Sequence, residues 1–179
     1  MAQPTTEAAT DRRRWTAGRS VAAILVLGMV AMWAYVLYLA VGPGRQPPPD
    51  RLDDPAFATA AEVRCDEALD AVAALPRASE ATTAVERATV VAQANHRFAD
   101  MLDDLDRIVP DGEDGEIVRE WLADWRTYLS DREAFATALR SDPDARLLVS
   151  AKDSDQITEH LDAFAADNHM PACGTPLDV

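Results

Sequence analysis

The side chains whose types and spacing could support chemistry are few. His169 and Cys173 stand four residues apart, and with His160, His96 and Cys65 they have the donor types of a zinc site. A helical projection places His96 about 140° from the apolar stripe of its segment, facing solvent. The two cysteines have a better use in each other, so no metal is expected. The acidic run DGEDGE, residues 111–116, suggests calcium. An EF-hand loop needs oxygen ligands at positions 1, 3 and 5, glycine at 6 and glutamate at 12. Counted from Asp111, the fifth position is Gly115 and the twelfth is Leu122, so the run reads as a polar turn between helices. No nucleophile elbow, phosphate loop, H-E-x-x-H or S-x-x-K motif is present. Carboxylates are so abundant that a glycosidase-type pair carries no signal. No catalytic residue and no cofactor are assigned, and an envelope hydrolase is the least favoured class.

The denser signal is WLADWRTYLSDREAF, residues 121–135. With Trp125 as zero, Trp121 and Leu139 fall at about −40°, Ala136 at about +20° and Arg132 at about −20°, so the arginine sits at the centre of an apolar face. A guanidinium buried there needs partners, because leaving it unpaired costs on the order of several kcal/mol. Asn95 and Arg132 lie about 17.5 and 19.5 residues either side of a turn between residues 112 and 113, at similar depth on facing helices. Asn95 can accept a hydrogen bond, and Glu62, Asp66 or Asp162 could supply the countercharge from other helices. Two readings follow. Arg132 and Asn95 form a buried polar cluster that fixes helix register, or they form an anion or carboxylate site between helices with Trp121, Trp125 and Tyr128 as walls. A partner surface built on the same rings is disfavoured, because the rings coincide with the helix core.

The elements that must position these residues begin at the membrane. From Ser20 to Val41 the chain carries no charge. As a helix this run spans about 33 Å, against a bilayer core of about 30 Å. Arg12, Arg13, Arg14 and Arg19 precede it, which keeps residues 1–19 in the cytoplasm, while Trp33, Tyr35 and Tyr38 lie toward the far interface. A cleaved signal peptide is the competing reading; its apolar region runs about 7–15 residues and ends at a small-residue site. The longer run here, ending in LAVGPG, favours an uncleaved single-pass anchor over residues 20–41. Residues 42–53 are a proline-rich linker that extends rather than coils.

Residues 54–179 read as an all-α extracytoplasmic domain. Apolar spacings of three and four predict helices over about 54–75, 79–109, 116–140 and 154–168. Asp153 with Gln156 suggests a capping box for the last of these. RLLVSA, residues 146–151, is too short to classify, and no strand or repeat is legible. Short connections favour antiparallel neighbours, so the simplest fold is an up-down-up-down four-helix bundle. That topology brings Cys65 and Cys173 to one end. Paired cysteines are the rule in an oxidising compartment, and this bond would close a loop of 108 residues, for which chain entropy allows up to about 4.7 kcal/mol.

Charge separates the two parts. Four of the 17 basic and two of the 31 acidic side chains lie in residues 1–42, which leaves 13 and 29, a net of −16, for the rest. Such a surface repels phosphate backbones, so nucleic acid is excluded as a partner. A single lysine amid abundant Ala, Arg, Asp and Val is the usage of a high-G+C bacterial coding sequence. The expected function is an accessory or protein-interaction module of a bacterial cell envelope, partnered by the bilayer and by another membrane or envelope protein. A small-ligand domain around Arg132 is the alternative. Alkylation of unreduced, denatured protein is expected to modify neither cysteine; two reactive thiols would remove the disulfide.

Overall fold

A computed structural model of the chain describes residues 7–41 and 48–178, with side chains from 19–40 and 48–178. The charge-free run lies within one helix, α1 (Glu7–Val41). Its 22-residue stretch Arg19–Ala40 is long and apolar enough to cross a membrane, and its side chains are exposed throughout. A helix that is apolar all round and unburied is compatible with a single-pass anchor. The chain divides into two compact units, residues 1–47 and 48–179. Residues 42–47 of the expected linker lie outside the described residues.

In the second unit an aspartate and a proline start the first helix, α2 (Pro55–Ala73). Asp54 accepts from the Ala56 N–H at 2.9 Å, and Pro55 occupies a position whose N–H would have no helical partner. The residues just ahead are also fixed. Leu52 is buried and its N–H donates to Asn168 Oδ1 at 2.8 Å, while the N–H groups of Asp53 and Asp54 each donate to the Asp114 carboxylate at 3.0 Å. The linker expected through residue 53 is thus tied into the domain from Asp50 onward, whose carbonyl oxygen accepts from Asn168 Nδ2 at 3.0 Å.

α2 ends at Ala73, ahead of Pro76, and a 3₁₀ turn at Ala78–Glu80 replaces the early part of the expected second helix. α3 (Ala84–Asp106) starts later because Thr83 caps it. Thr83 Oγ1 accepts from Glu86 N–H, and Glu86 reaches back to accept from the N–H and hydroxyl of Thr82. The bond from the Thr82 N–H, then that from its hydroxyl, holds the Glu86 carboxyl below its ordinary 4.5. This closure is complete above that value and is lost as the pH falls through the lowered one.

α4 (Glu113–Leu139) begins inside the acidic run, directly after Gly112, whose φ of +80° suits glycine. Glu113, Asp114 and Glu116, expected in a polar turn, therefore lie in the first turn of this helix. Gly115, inside the first turn, has a second role. A Cβ there would lie 2.0 Å from the Pro110 carbonyl oxygen.

After α4 the chain returns along one stripe of that helix. Glu120, Asp124 and Asp131 fall within about 40° of one another on α4. Lys152 Nζ donates to Glu120 and Asp124 at 2.8 and 2.7 Å, and the N–H and hydroxyl of Ser150 donate to Asp131 at 2.7 and 2.9 Å. Burial opposes the Lys152 charge, but its bonds to Asp124 and Glu120 outweigh burial and raise its pKa; Lys152 in turn lowers that of Glu120.

Here the expected order is corrected. Ala151–Lys152 (β1) pairs antiparallel with Asp155–Gln156 (β2), and the turn residues Asp153 and Ser154 have φ of +50° and +79°. Two left-handed residues are what a tight hairpin demands. Asp153 is therefore a turn residue and caps nothing; α5 (Ile157–Asp167) starts after Gln156 with no side-chain cap.

The domain is mostly helical, with this one small hairpin among the described residues. α3 packs most extensively on α4, α2 packs on α3, and α5 packs on α4. The buried apolar residues form two clusters. The larger joins α2, α3, α4 and α5 around Phe98, Trp121, Leu122, Trp125 and Leu161; the smaller joins the start of α3 to the end of α4 through Val91, Phe135 and Leu139.

Replacing a helical glycine with alanine ordinarily stabilises by about 0.5–1 kcal/mol. Gly115→Ala is expected to do the reverse and cost about 1–3 kcal/mol in urea unfolding, because the methyl group must displace the Pro110 backbone.

Candidate functional site

Arg132 lies where the two apolar clusters meet. On α4 it falls between Leu129 of the larger cluster and Phe135 of the smaller, and on α3 Asn95 falls between Val91 and Phe98 in the same way. Arg132 is 0% exposed and Asn95 4%. Arg132 Nε donates to Asn95 Oδ1 at 2.8 Å.

The countercharge is Asp178. Arg132 Nη1 and Nη2 donate to its two oxygens at 2.8 and 2.7 Å, a fork-to-fork pair. Tyr128 OH accepts a longer bond from Nη1 at 3.4 Å. Four of the five guanidinium N–H groups are thus engaged. Burial works against the charge, and the bonds and charge of Asp178, with a smaller contribution from Tyr128, more than offset it, so the guanidinium is held above its ordinary value. Because the Asp178 side chain keeps 20% of its surface exposed, the pair sits at the edge of the interior rather than deep within it.

None of the three expected countercharges meets Arg132. Asp66 is exposed on α2. Glu62 and Asp162 instead hold the segment that carries Asp178. Ala172 N–H donates to Glu62 at 3.0 Å, and Thr175 donates to Asp162 through its N–H at 2.6 Å and its hydroxyl at 3.1 Å. A disulfide joins Cys65 on α2 to Cys173 at the end of a 3₁₀ turn, Pro171–Cys173. From this staple the chain runs five residues to Asp178. The sequence signal for Asp178 was faint: an acidic residue a short reach beyond a cysteine.

The rings divide differently from the expected walls. The guanidinium lies over Phe98 and Tyr128, with centroids 5.1 and 5.7 Å away. Trp125 stands behind both, 6.1 Å from Phe98 and 5.7 Å from Tyr128. Trp121 is further removed, stacked on Phe164 at 4.9 Å and edge-on to Phe57 and Trp125, each at 6.4 Å. Its use is core packing. The indole N–H groups of Trp121 and Trp125 and the amide nitrogen of Asn95 are buried without hydrogen-bond partners.

The histidines and cysteines do not converge. Both cysteines are in the disulfide, His96 and His169 are exposed, and His160 Nε2 lies 3.1 Å from the Lys152 carbonyl oxygen. No cluster of three or more metal-ligating side chains occurs among the described residues. Neither a protein-family model, nor a curated protein, nor a solved structure matches this chain. The site therefore stands on its geometry alone.

A buried ion pair loses most when one partner is removed and the other remains. Asp178→Ala, which strands the guanidinium, is expected to cost about 3 kcal/mol in urea unfolding. Arg132→Met, which fills the same space with an apolar chain, is expected to cost clearly less. Equal costs would show that solvent already shields the pair.

Proposed function

We propose that this chain is a membrane-tethered module of a bacterial cell envelope that works by binding rather than by catalysis. Residues 20–41 cross the bilayer once, residues 1–19 stay in the cytoplasm, and the acidic domain stands outside as an antiparallel four-helix bundle. The carrying observation is the asymmetry about α1: four arginines lie before its charge-free run, while a disulfide-bonded domain of net charge −16 follows it. Arginines resist translocation, and a structural disulfide belongs in an oxidising compartment.

The same charge argues for the partner's character. An acidic domain gains nothing from an anionic lipid surface, so the partner is another membrane or envelope protein with a basic face, drawn in by complementary charge. A second reading, a small-ligand module around Arg132, is favoured by the carboxylate already seated on the guanidinium.

Protease added to intact spheroplasts is expected to digest the domain, and short-arm crosslinking in native membranes is expected to yield one discrete partner whose recovery falls as salt rises through about 0.1–0.5 M. Full protection from protease would place the domain inside, and a protein that stays uncrosslinked at native abundance would remove the partner.

A further inference from the structure

Two cavities meet at Asp178. The larger, about 680 Å³, lies between Leu69, Val72 and Ala73 of α2 and Ala165 and Ala166 of α5, beneath residues 174–178. The smaller, about 330 Å³, lies between the end of α2 and Val90 and Ala94 of α3. Leu177 and Asp178 line both, together with Val72 and Ala73 of α2, so the two cavities adjoin between the end of α2 and residues 177–178. Arg132 lines neither, because the Asp178 carboxylate covers it.

Residues 176–178 are held through a single side chain. Beyond Thr175, the Asp178 carboxylate makes the only hydrogen bonds of residues 176–178 to other described residues, and Leu177 is fully exposed. The binding group behind it is rigid. Arg132 presents two parallel N–H groups to a planar carboxylate, keeps one N–H unused, and is steadied by Asn95, whose amide nitrogen also lacks a partner. The larger cavity is walled mainly by Leu69, Val72, Ala73, Ala165 and Ala166, whereas Arg77 and Ser79 add polar groups to the smaller.

We infer that Arg132 is the head-group site for an aliphatic monocarboxylate of the fatty-acid class, whose carboxylate replaces that of Asp178 and whose chain lies in the trough between α2 and α5. Asp178 is the internal stand-in for that ligand. A monocarboxylate fits better than a phosphate dianion, because Asp162 lines the larger cavity and opposes added negative charge. The trough's volume suits a chain of moderate length. While Asp178 is seated the site is closed, so the apparent affinity is reduced by the fraction of molecules in which it is open. The disulfide at Cys173 and the Asp162 bonds at Thr175 keep the opening to the residues beyond Thr175.

This inference rests on the ligand-binding reading of Arg132 and is independent of the membrane placement and the protein partner. The test uses the purified full chain in a non-ionic detergent, with equilibrium dialysis of labelled octanoate and acetate and with octanol as competitor. Octanoate is expected to bind saturably at one per chain, at least tenfold more tightly than acetate, and octanol is expected not to displace it. Asp178→Ala should tighten octanoate at least tenfold, with Asp178→Asn as the substitute if the alanine variant does not fold, and Arg132→Met should abolish binding in a protein that keeps its helical circular dichroism. Acetate binding as well as octanoate would overturn the fatty-acid class while leaving a carboxylate site. Octanoate binding that Arg132→Met leaves intact, or that Asp178→Ala fails to tighten, would overturn the displacement. No saturable binding of either acid would remove the ligand-binding reading itself.

Discussion

A guanidinium at the centre of an apolar helix face is the constraint around which the domain is arranged. Its burial would cost on the order of several kcal/mol if left unpaired, so neighbouring elements must bring it acceptors. α3 brings Asn95, α4 brings Tyr128 one turn before Arg132, and the segment after Cys173 brings Asp178. The resulting polar layer separates the four-helix part of the core from the smaller cluster shared by α3 and α4. A layer that accepts only one set of partners penalises any slip of α3 along α4, which is the register role buried polar groups serve best.

The disulfide and the ion pair act together. The staple at Cys173 brings a segment without regular structure back to α2, and the carboxylates of Glu62 and Asp162 tie its backbone down. Asp178 then needs to be ordered over only a few residues, which keeps the entropic cost of the pair small. The covalent link and the ion pair thus stabilise one and the same segment.

Much of the helical domain could be read from periodicity because its physics is local. The inward stripe from Ala88 through Val91, Asn95, Phe98 and Leu102 needs only the helix pitch, and so does the central place of Arg132 among Trp125, Ala136 and Leu139. The cap at Thr83 and Glu86 was equally local, yet the longer apolar pattern around it masked the later start of α3. The hairpin at Asp153 and Ser154 was illegible for a different reason. Neither residue is a glycine or asparagine, so nothing in the local sequence announces two left-handed conformations. They hold because Lys152 and Ser150 are bound along α4 on one side and Ile157 is buried on the other.

The charge-free run, the polarity of charge about it, the helical character of the domain and the presence of an arginine that must find partners inside are all legible in the order of residues. These follow from composition and from a repeat of about 3.6 residues, which neighbouring residues set among themselves. Long-range packing sets the rest: Asp178, rather than Glu62, Asp66 or Asp162, meets Arg132, Phe98 rather than Trp121 lies beneath the guanidinium, and a trough opens beside the pair. Those outcomes depend on where a non-periodic segment is led by a covalent link and by carboxylates on two other helices. The path of such a segment is set by contacts among residues far apart in the chain, and no local pattern encodes it.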